Sequence, residues 1–369
     1  MKSKGLLFII GTRPELIKLF PIIDELKKRG YENYRILSTG QHKSLLESYW
    51  KLFDIEVDYE LNVLNKGQSI ADLTARTIQQ LNNFIKEIES DFKPEYIIGQ
   101  GDTTTVMVAS MVAFYNGIKY AHIEAGLRSY DLAHPFPEEY NRKLVSIATD
   151  IHFAPTKEAK LNLIAEGVCE QSVDVVGNTV IDTLHYFIKS GKLDSHEFEN
   201  LKLKNIGSRC VLITCHRREN HLLLENLISA VTKLANKYPE ISFVWTLHPN
   251  PKVRDVILNS KVSQISNLLL VDPLSYLDLI KIMSSSSLIL TDSGGIQEEA
   301  PTFKVPVLVL REKTERPEAI KLGVSKLVGM NEKEIIESFE SFKPNFDDDF
   351  VNPYGEGNSS TRIVRRLIE

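Results

Sequence analysis

Apolar residues in this chain gather in short runs, and between the runs they recur at helical spacing. The runs are "LLFII" (6–10), "YRILS" (34–38), "YIIG" (96–99), "YAHIE" (120–124) and "IHFAP" (151–155), then "CVLIT" (210–214), "ISFVWTL" (241–247), "LLLVD" (268–272), "SLILT" (287–291) and "VPVLVL" (305–310). Runs this short predict buried strands; the periodic stretches 14–29, 69–90, 102–115, 221–236 and 331–342 predict helices. Strand–helix alternation implies parallel sheets covered by helices on both faces. The series restarts near residue 210, after the charged stretch 190–208. The fold class expected is therefore α/β: two Rossmann-like doubly wound domains, facing across a cleft, each with its ligand edge at the carboxyl ends of its strands. The boundaries expected are residues 1–177 and 178–350, with a tail helix in 351–369 crossing back to the first domain.

Composition narrows the function classes. A length of 369 residues suits two cores better than one. A formal net charge of -5 with no long basic run argues against a nucleic-acid partner. The three cysteines lack metal-type or paired spacing, which suits a reducing compartment and a cytoplasmic location. The opening apolar run, Leu6 to Ile10, is too short for a signal core, and no run approaches the ~18 apolar residues of a membrane span.

Candidate chemistry sits where predicted strands end. In "IIGTRPELIK" (9–18) a tight turn leads into a helix; Gly11 permits an unusual backbone conformation, and free amides beside Arg13 and Lys18 would favour an anion. In "GQGDTTTVMVA" (99–109), Asp102 or a following threonine caps a helix or lines a site wall. In "AHIEAGLRS" (121–129), His122 and Glu124 would share one face of a strand. No further ligand motif accompanies them, so no metal is expected, and Glu124 reads as a catalytic or orienting carboxylate. Glu138 and Glu139 in "AHPFPEEYNRKL" (133–144) open a helix, where acidic residues also complement the dipole. His216 in "LITCHRRENH" (212–221) follows a buried strand directly and suits a departing phosphate. The most specific segment is "LTDSGGIQEEAP" (290–301). Ser293, Gly294 and Gly295 would let backbone approach a phosphate; Glu299, a turn and a half further on, would stand well away and suit ribose hydroxyls. Arg316, after the next strand, is placed to reach phosphate. A seat with pyrophosphate at one end and ribose at the other describes a nucleotide.

Taken in order, "GTRPELIK", "QGDTTT", "HIEAGLRS", "PFPEEYNR", "FAPT", "VGNTVIDTL", "CHRREN", "HPNP", "TDSGGIQEEAP", "REKTERPEA" and "NPYGEG" resemble the non-hydrolysing UDP-N-acetylglucosamine 2-epimerases from end to end. The resemblance implies a glycosyltransferase-B-like fold, a homodimer, and no cofactor. It implies interconversion of UDP-N-acetylglucosamine and UDP-N-acetylmannosamine by loss of UDP to 2-acetamidoglucal and re-addition, supplying N-acetylmannosamine units for surface polysaccharide. A glycosyltransferase of the same fold and a hydrolysing epimerase are the alternatives. By resemblance Asp102, Glu124, Glu138 and His216 form the catalytic set. Arg13, Lys18, Ser293, Gly294 and Arg316 match phosphate-binding positions, and Glu299 the ribose-binding one. Leu279 stands near where the family often has a phenylalanine on uracil, so stacking would be lost there. Gln100 and Cys215 also depart from the common residues. In the family's activator region Gln41 and His42 match, but Ser44 replaces a longer side chain and Gly67 an arginine. The implied consequence is weakened or absent activation by substrate.

Overall fold

The computed structural model describes residues 4–41, 43–65, 67–207 and 209–369; side chains 43–45, 205, 218, 219 and 252 are also outside the description. His42 therefore lies outside the described residues, as does the side chain of Ser44.

The chain divides into two compact units, residues 1–183 with 354–369, and residues 184–353. The first crossing falls six residues beyond the expected boundary of 177 (183 − 177), and residues 354–369 belong to the first unit. There the helix Ser359–Ile368 packs on the helix Arg13–Lys28.

The first unit carries strands β1 (Leu6–Ile10), β2 (Tyr34–Ser38), β3 (Tyr59–Glu60), β4 (Tyr96–Gln100), β5 (Lys119–Ile123), β6 (Ile151–Ala154) and β7 (Val173–Val175). They form one sheet in the order β3-β2-β1-β4-β5-β6-β7, every pairing parallel. The second unit carries β8 (Cys210–Thr214), β9 (Ser242–Thr246), β10 (Leu268–Val271), β11 (Ser286–Thr291), β12 (Val307–Val309) and β13 (Ser325–Leu327). Their order is β10-β9-β8-β11-β12-β13, again parallel throughout. All five residues of β1 and of β8 are buried, as a central strand covered on both faces requires.

Strand order reverses beside β1 in one sheet and beside β8 in the other. In open α/β sheets that reversal opens a crevice at the carboxyl ends of the two diverging strands. The first unit therefore presents the turns after β1 and β4, and the second presents those after β8 and β11. These four turns contain Gly11–Arg13, Gly101–Thr103, Cys215–Arg217 and Asp292–Gly294. Helix caps place their first residues. Glu15 reaches back to accept from the Thr12 amide (3.2 Å) at the start of Arg13–Lys28, and Thr103 Oγ accepts from the Val106 amide (3.3 Å) to start Thr104–Tyr115. Thr103, not Asp102, is that cap. The stretch read as one helix over 221–236 is a 3-10 segment, Arg218–Leu223, followed by the α-helix Leu224–Lys237.

Candidate active site

In the first unit Glu124 follows the last residue of β5 and adopts φ 67°, a left-handed conformation unusual for a glutamate. That turn breaks the strand's two-residue period, so His122 and Glu124 do not share a face as expected. The His122 ring stays buried, with Nε2 2.7 Å from the Gly101 carbonyl, and burial pushes its pKa down to about 4. Glu124 turns instead to three donors. The Lys18 ammonium contacts Oε2, and the Gln100 and Asn178 amides donate to the same oxygen at 3.1 Å each. Both ionic side chains are nearly enclosed, 7% exposed for Lys18 and 6% for Glu124. Lys18, expected at a phosphate-binding position, contacts this carboxylate.

Asp102 is held by the helix Glu138–Ile147. Arg142 donates to Oδ2 through Nε (2.9 Å) and Nη2 (2.8 Å), and the Asn141 amide donates to the Asp102 carbonyl at 2.8 Å. Glu138 is the first residue of that helix and is half-buried. Its neighbour Glu139 is fully buried and accepts from the Ser129 and Tyr130 amides (3.0 Å each) and from Arg142 (3.1 Å). Glu139 thereby fixes loop and guanidinium together.

The turn after β1 differs from expectation in two ways. Gly11 does not have a positive φ; it is required because a Cβ there would stand 2.3 Å from Thr105 Oγ and 2.8 Å from Thr39 Oγ. The amides of Gly11 and Thr12 are not free for an anion, since both donate to Glu15 Oε2 (2.5 and 3.2 Å). Glu15 Oε1 accepts from Thr103 Oγ at 2.6 Å, so one carboxyl joins the β1 and β4 turns. Arg13 is half-buried, its guanidinium 5.8 Å from the Tyr49 ring centroid. Gln41 accepts from Thr105 Oγ at 2.7 Å, and Gly67 lies exposed at φ 77°.

Burial raises the Glu15 carboxyl to about 7, against the opposing pull of the Thr103, Gly11 and Thr12 hydrogen bonds. An exposed glutamate titrates near ~4.3. Between those values the folded chain keeps a proton that the unfolded chain has lost, so this group costs stability as pH rises through that window. Glu15→Gln is expected to gain stability relative to the native protein from pH 5 to pH 8, by an amount on the order of 2 kcal/mol. Urea melts at both pH values measure it; parallel changes in the two proteins would refute the titration.

In the second unit Asp292 organises the turn after β8. It is fully buried and accepts from the His216 amide (3.1 and 3.0 Å), the Arg217 amide (2.9 Å) and Asn220 Nδ2 (3.0 Å). His216 Nδ1 lies 3.1 Å from Asp292 Oδ1, while its ring is 43% exposed and stacks with His248 at 6.2 Å between centroids. Burial alone would raise the Asp292 pKa. The hydrogen bond and charge of His216, the Arg217 amide and Asn220 outweigh it and hold the group well below the usual carboxylate range. With Nδ1 committed to Asp292, Nε2 is the nitrogen left to serve a ligand.

The turn after β11 forms a second cluster in this unit. The Ser293 amide donates to Thr291 Oγ (2.9 Å), and the helix Gly294–Glu299 begins at once. Arg316 lies directly over Gly294, where a Cβ would come within 2.6 Å of Nη1. Arg316 Nε bonds Glu298 at 2.5 Å, so Glu298 is its buried partner. Glu299 corrects the expected spacing. Its Oε1 comes within 3.5 Å of a Cβ built on Gly295, because residues four apart share a helix face and side chains lean toward the amino end. The carboxylate reaches back to the first turn. Leu279, on Tyr276–Ser285, is half-buried against the core of this unit.

Sequence reasoning passed over Glu15, Arg142, Asn178, Asp292 and His248 as site residues. Their signal was position alone: each stands within a quoted motif or beside a strand's carboxyl end. Among the described residues no group of three His, Cys, Asp or Glu side chains could hold a metal, and no helix is long and apolar enough to cross a membrane.

The chain matches the family described as UDP-N-acetylglucosamine 2-epimerase over residues 24–368. It is 43% identical over 372 residues to the UDP-N-acetylglucosamine 2-epimerase of Neisseria meningitidis, covering 98% of this chain and 99% of that relative. The crystal structure of a Neisseria meningitidis UDP-GlcNAc 2-epimerase bound to UDP-GlcNAc superposes with a TM-score of 0.89 at 42% identity, covering 98% and 99% of the two chains. The glycosyltransferase of kitacinnamycin, 12% identical with a TM-score of 0.59 over 100% of this chain and 95% of that one, shares the fold alone.

Proposed function

This chain belongs to the UDP-N-acetylglucosamine 2-epimerase family, and from that premise we propose how its two sets of residues divide the reaction. The enzyme is an isomerase that interconverts UDP-N-acetylglucosamine and UDP-N-acetylmannosamine. The hydrogen on carbon 2 has no neighbouring carbonyl to acidify it, so direct proton exchange would be slow. Its loss is therefore coupled to departure of UDP. The C1–O bond breaks with its electron pair going to UDP, the carbon 2 proton passes to a protein base, and a C1=C2 bond forms, giving 2-acetamidoglucal. Re-addition of UDP with a proton delivered to the opposite face inverts carbon 2.

The single observation that carries this reading is the enclosed Glu124 carboxylate with its Lys18, Gln100 and Asn178 donors at the end of β5. Fixed in place and salt-bridged, it suits proton transfer without side-chain rearrangement. Asp102 and Glu138 supply the further acid–base capacity that two faces demand. His216, oriented by Asp292, serves the leaving diphosphate, with Ser293, Gly294, Gly295 and Arg316 as its seat and Glu299 for the ribose. Arg13 adds positive charge for the same substrate.

Incubation with UDP-N-acetylglucosamine in deuterated water tests the scheme. The expected product is UDP-linked N-acetylmannosamine carrying deuterium at carbon 2. Free UDP with free N-acetylmannosamine would reveal a hydrolysing enzyme, and absence of both deuterium and epimer a transferase. Run from UDP-N-acetylmannosamine, the same assay is expected to proceed without added UDP-N-acetylglucosamine, given Gly67 and Ser44 in the activator region. A strict requirement for it refutes that part.

The reading also carries a homodimer, a cytoplasmic location and use of the product in surface polysaccharide. In support of the dimer, Phe114, Tyr115, Tyr140 and Ile147 are exposed on two helices that pack together, Thr104–Tyr115 and Glu138–Ile147. Sedimentation equilibrium returning a monomer removes it. In support of the location, Cys169, Cys210 and Cys215 are all free thiols.

A further inference from the structure

The seat around Gly294 gathers more charge than Arg316 alone supplies. Glu315 is buried, and its carboxylate is shared by three guanidiniums. Arg316 Nη1 contacts Oε1 directly, Arg217 Nη2 lies 3.6 Å from the same oxygen, and Arg311 Nη2 lies 2.9 Å from Oε2. The three arginines come from two places: Arg217 from the turn after β8, and Arg311 and Arg316 from the loop between β12 and the helix Glu318–Lys321. Arg217 also donates through Nε to the Asp292 carbonyl at 3.1 Å, which links this group to the His216 turn. Three like charges crowded in a dry environment repel strongly, and side-chain entropy would scatter them. A carboxylate among them reverses the sign of the nearest interactions and holds the planar forks in fixed orientation.

We propose that Glu315 is a positioning residue for the diphosphate, gathering Arg217, Arg311 and Arg316 at Gly294 and acting on the ligand only through them. This rests on the reading of the Ser293–Arg316 turn as the diphosphate seat, and binding measurements separate the two claims. UDP and uridine are titrated into the full-length protein and into Glu315→Gln, with calorimetry or NMR giving both dissociation constants. The native protein should bind UDP at least about 100-fold more tightly than uridine; a gap near unity defeats the seat itself. In Glu315→Gln the gap should shrink by about 10-fold or more while uridine affinity stays unchanged. A variant that keeps the full gap overturns the positioning role and leaves the seat standing. Equal weakening of UDP and uridine also overturns it, because that is the signature of a purely structural residue. Should circular dichroism show Glu315→Gln unfolded, Glu315→Asp is read instead. It keeps the charge but withdraws it by one methylene, so a reduced gap with unchanged uridine binding is expected, and an undiminished gap overturns the proposal.

Discussion

Glu124→Gln is expected to lower turnover by about 10²- to 10⁴-fold, the usual contribution of a positioned acid–base group. The amide is nearly isosteric but cannot accept a proton, so it disables transfer at carbon 2 without emptying the site. The change also removes the Glu124 charge from beside the enclosed Lys18 ammonium, although Gln100 and Asn178 still have an oxygen to meet. UDP affinity should change little, because the seat proposed for its phosphates is built in the other unit. Two measurements check this together: epimerisation rate and deuterium entry at carbon 2. Both should fall in parallel. A rate within threefold of the native protein, or undiminished deuterium exchange, removes Glu124 from the proton path.

How much of this was visible in the sequence depended on the length scale of each signal. Ten apolar runs marked ten of the strands, because a parallel strand covered on both faces is apolar throughout and needs no partner to be recognised. The three strands missed, β3, β7 and β13, have two or three residues each and all sit at sheet edges. Their placement is decided by neighbours, which a local pattern does not contain. The restart near residue 210 was legible because a new buried strand follows a charged stretch. The exact crossing was not, since the helix Thr179–Lys189 carries the chain through the boundary without a break in periodicity.

The site divides the same way. Motifs put candidate residues at strand ends, yet sequence spacing misjudged where some of their side chains go. Glu124 leaves the strand through a left-handed turn, which no alternation rule anticipates. Glu299 leans back along its helix, so counting residues overstated its distance from the seat. Lys18 reads as a phosphate ligand from its motif, and nothing local to that motif shows that Glu124, 106 residues away, stands beside it. The residues missed are mostly those that hold others. Asp292, Arg142 and Glu315 take their meaning from long-range partners, and such partners are a property of the fold.

Asp292→Asn puts that last point to the test, with effects on both rate and stability. An asparagine has one acceptor oxygen for the His216 and Arg217 amides, and its amide end would face the His216 ring. The ring then meets an amide donor where it had a carboxylate acceptor, so the contact that orients the ring and places Nε2 for the departing diphosphate is lost. Turnover is expected to fall about 10²-fold or more, the scale seen when one preorganised donor to developing charge is lost. Stability should fall by about 3 kcal/mol at neutral pH, because a buried carboxylate with several donors is replaced by a group that cannot satisfy them. The sign with pH is fixed by the depressed folded pKa. Asp292 binds a proton more readily in the unfolded chain, so its contribution is complete above the ordinary aspartate range, ~3.9, and is lost as pH falls below it. The stability gap between native protein and variant should therefore be constant from pH 8 to 5 and narrow only in stronger acid. Thermal melts across that range measure the gap. A gap that fails to narrow in stronger acid would mean that Asp292 is not held in its charged form, and the orientation assigned to His216 would fall with it.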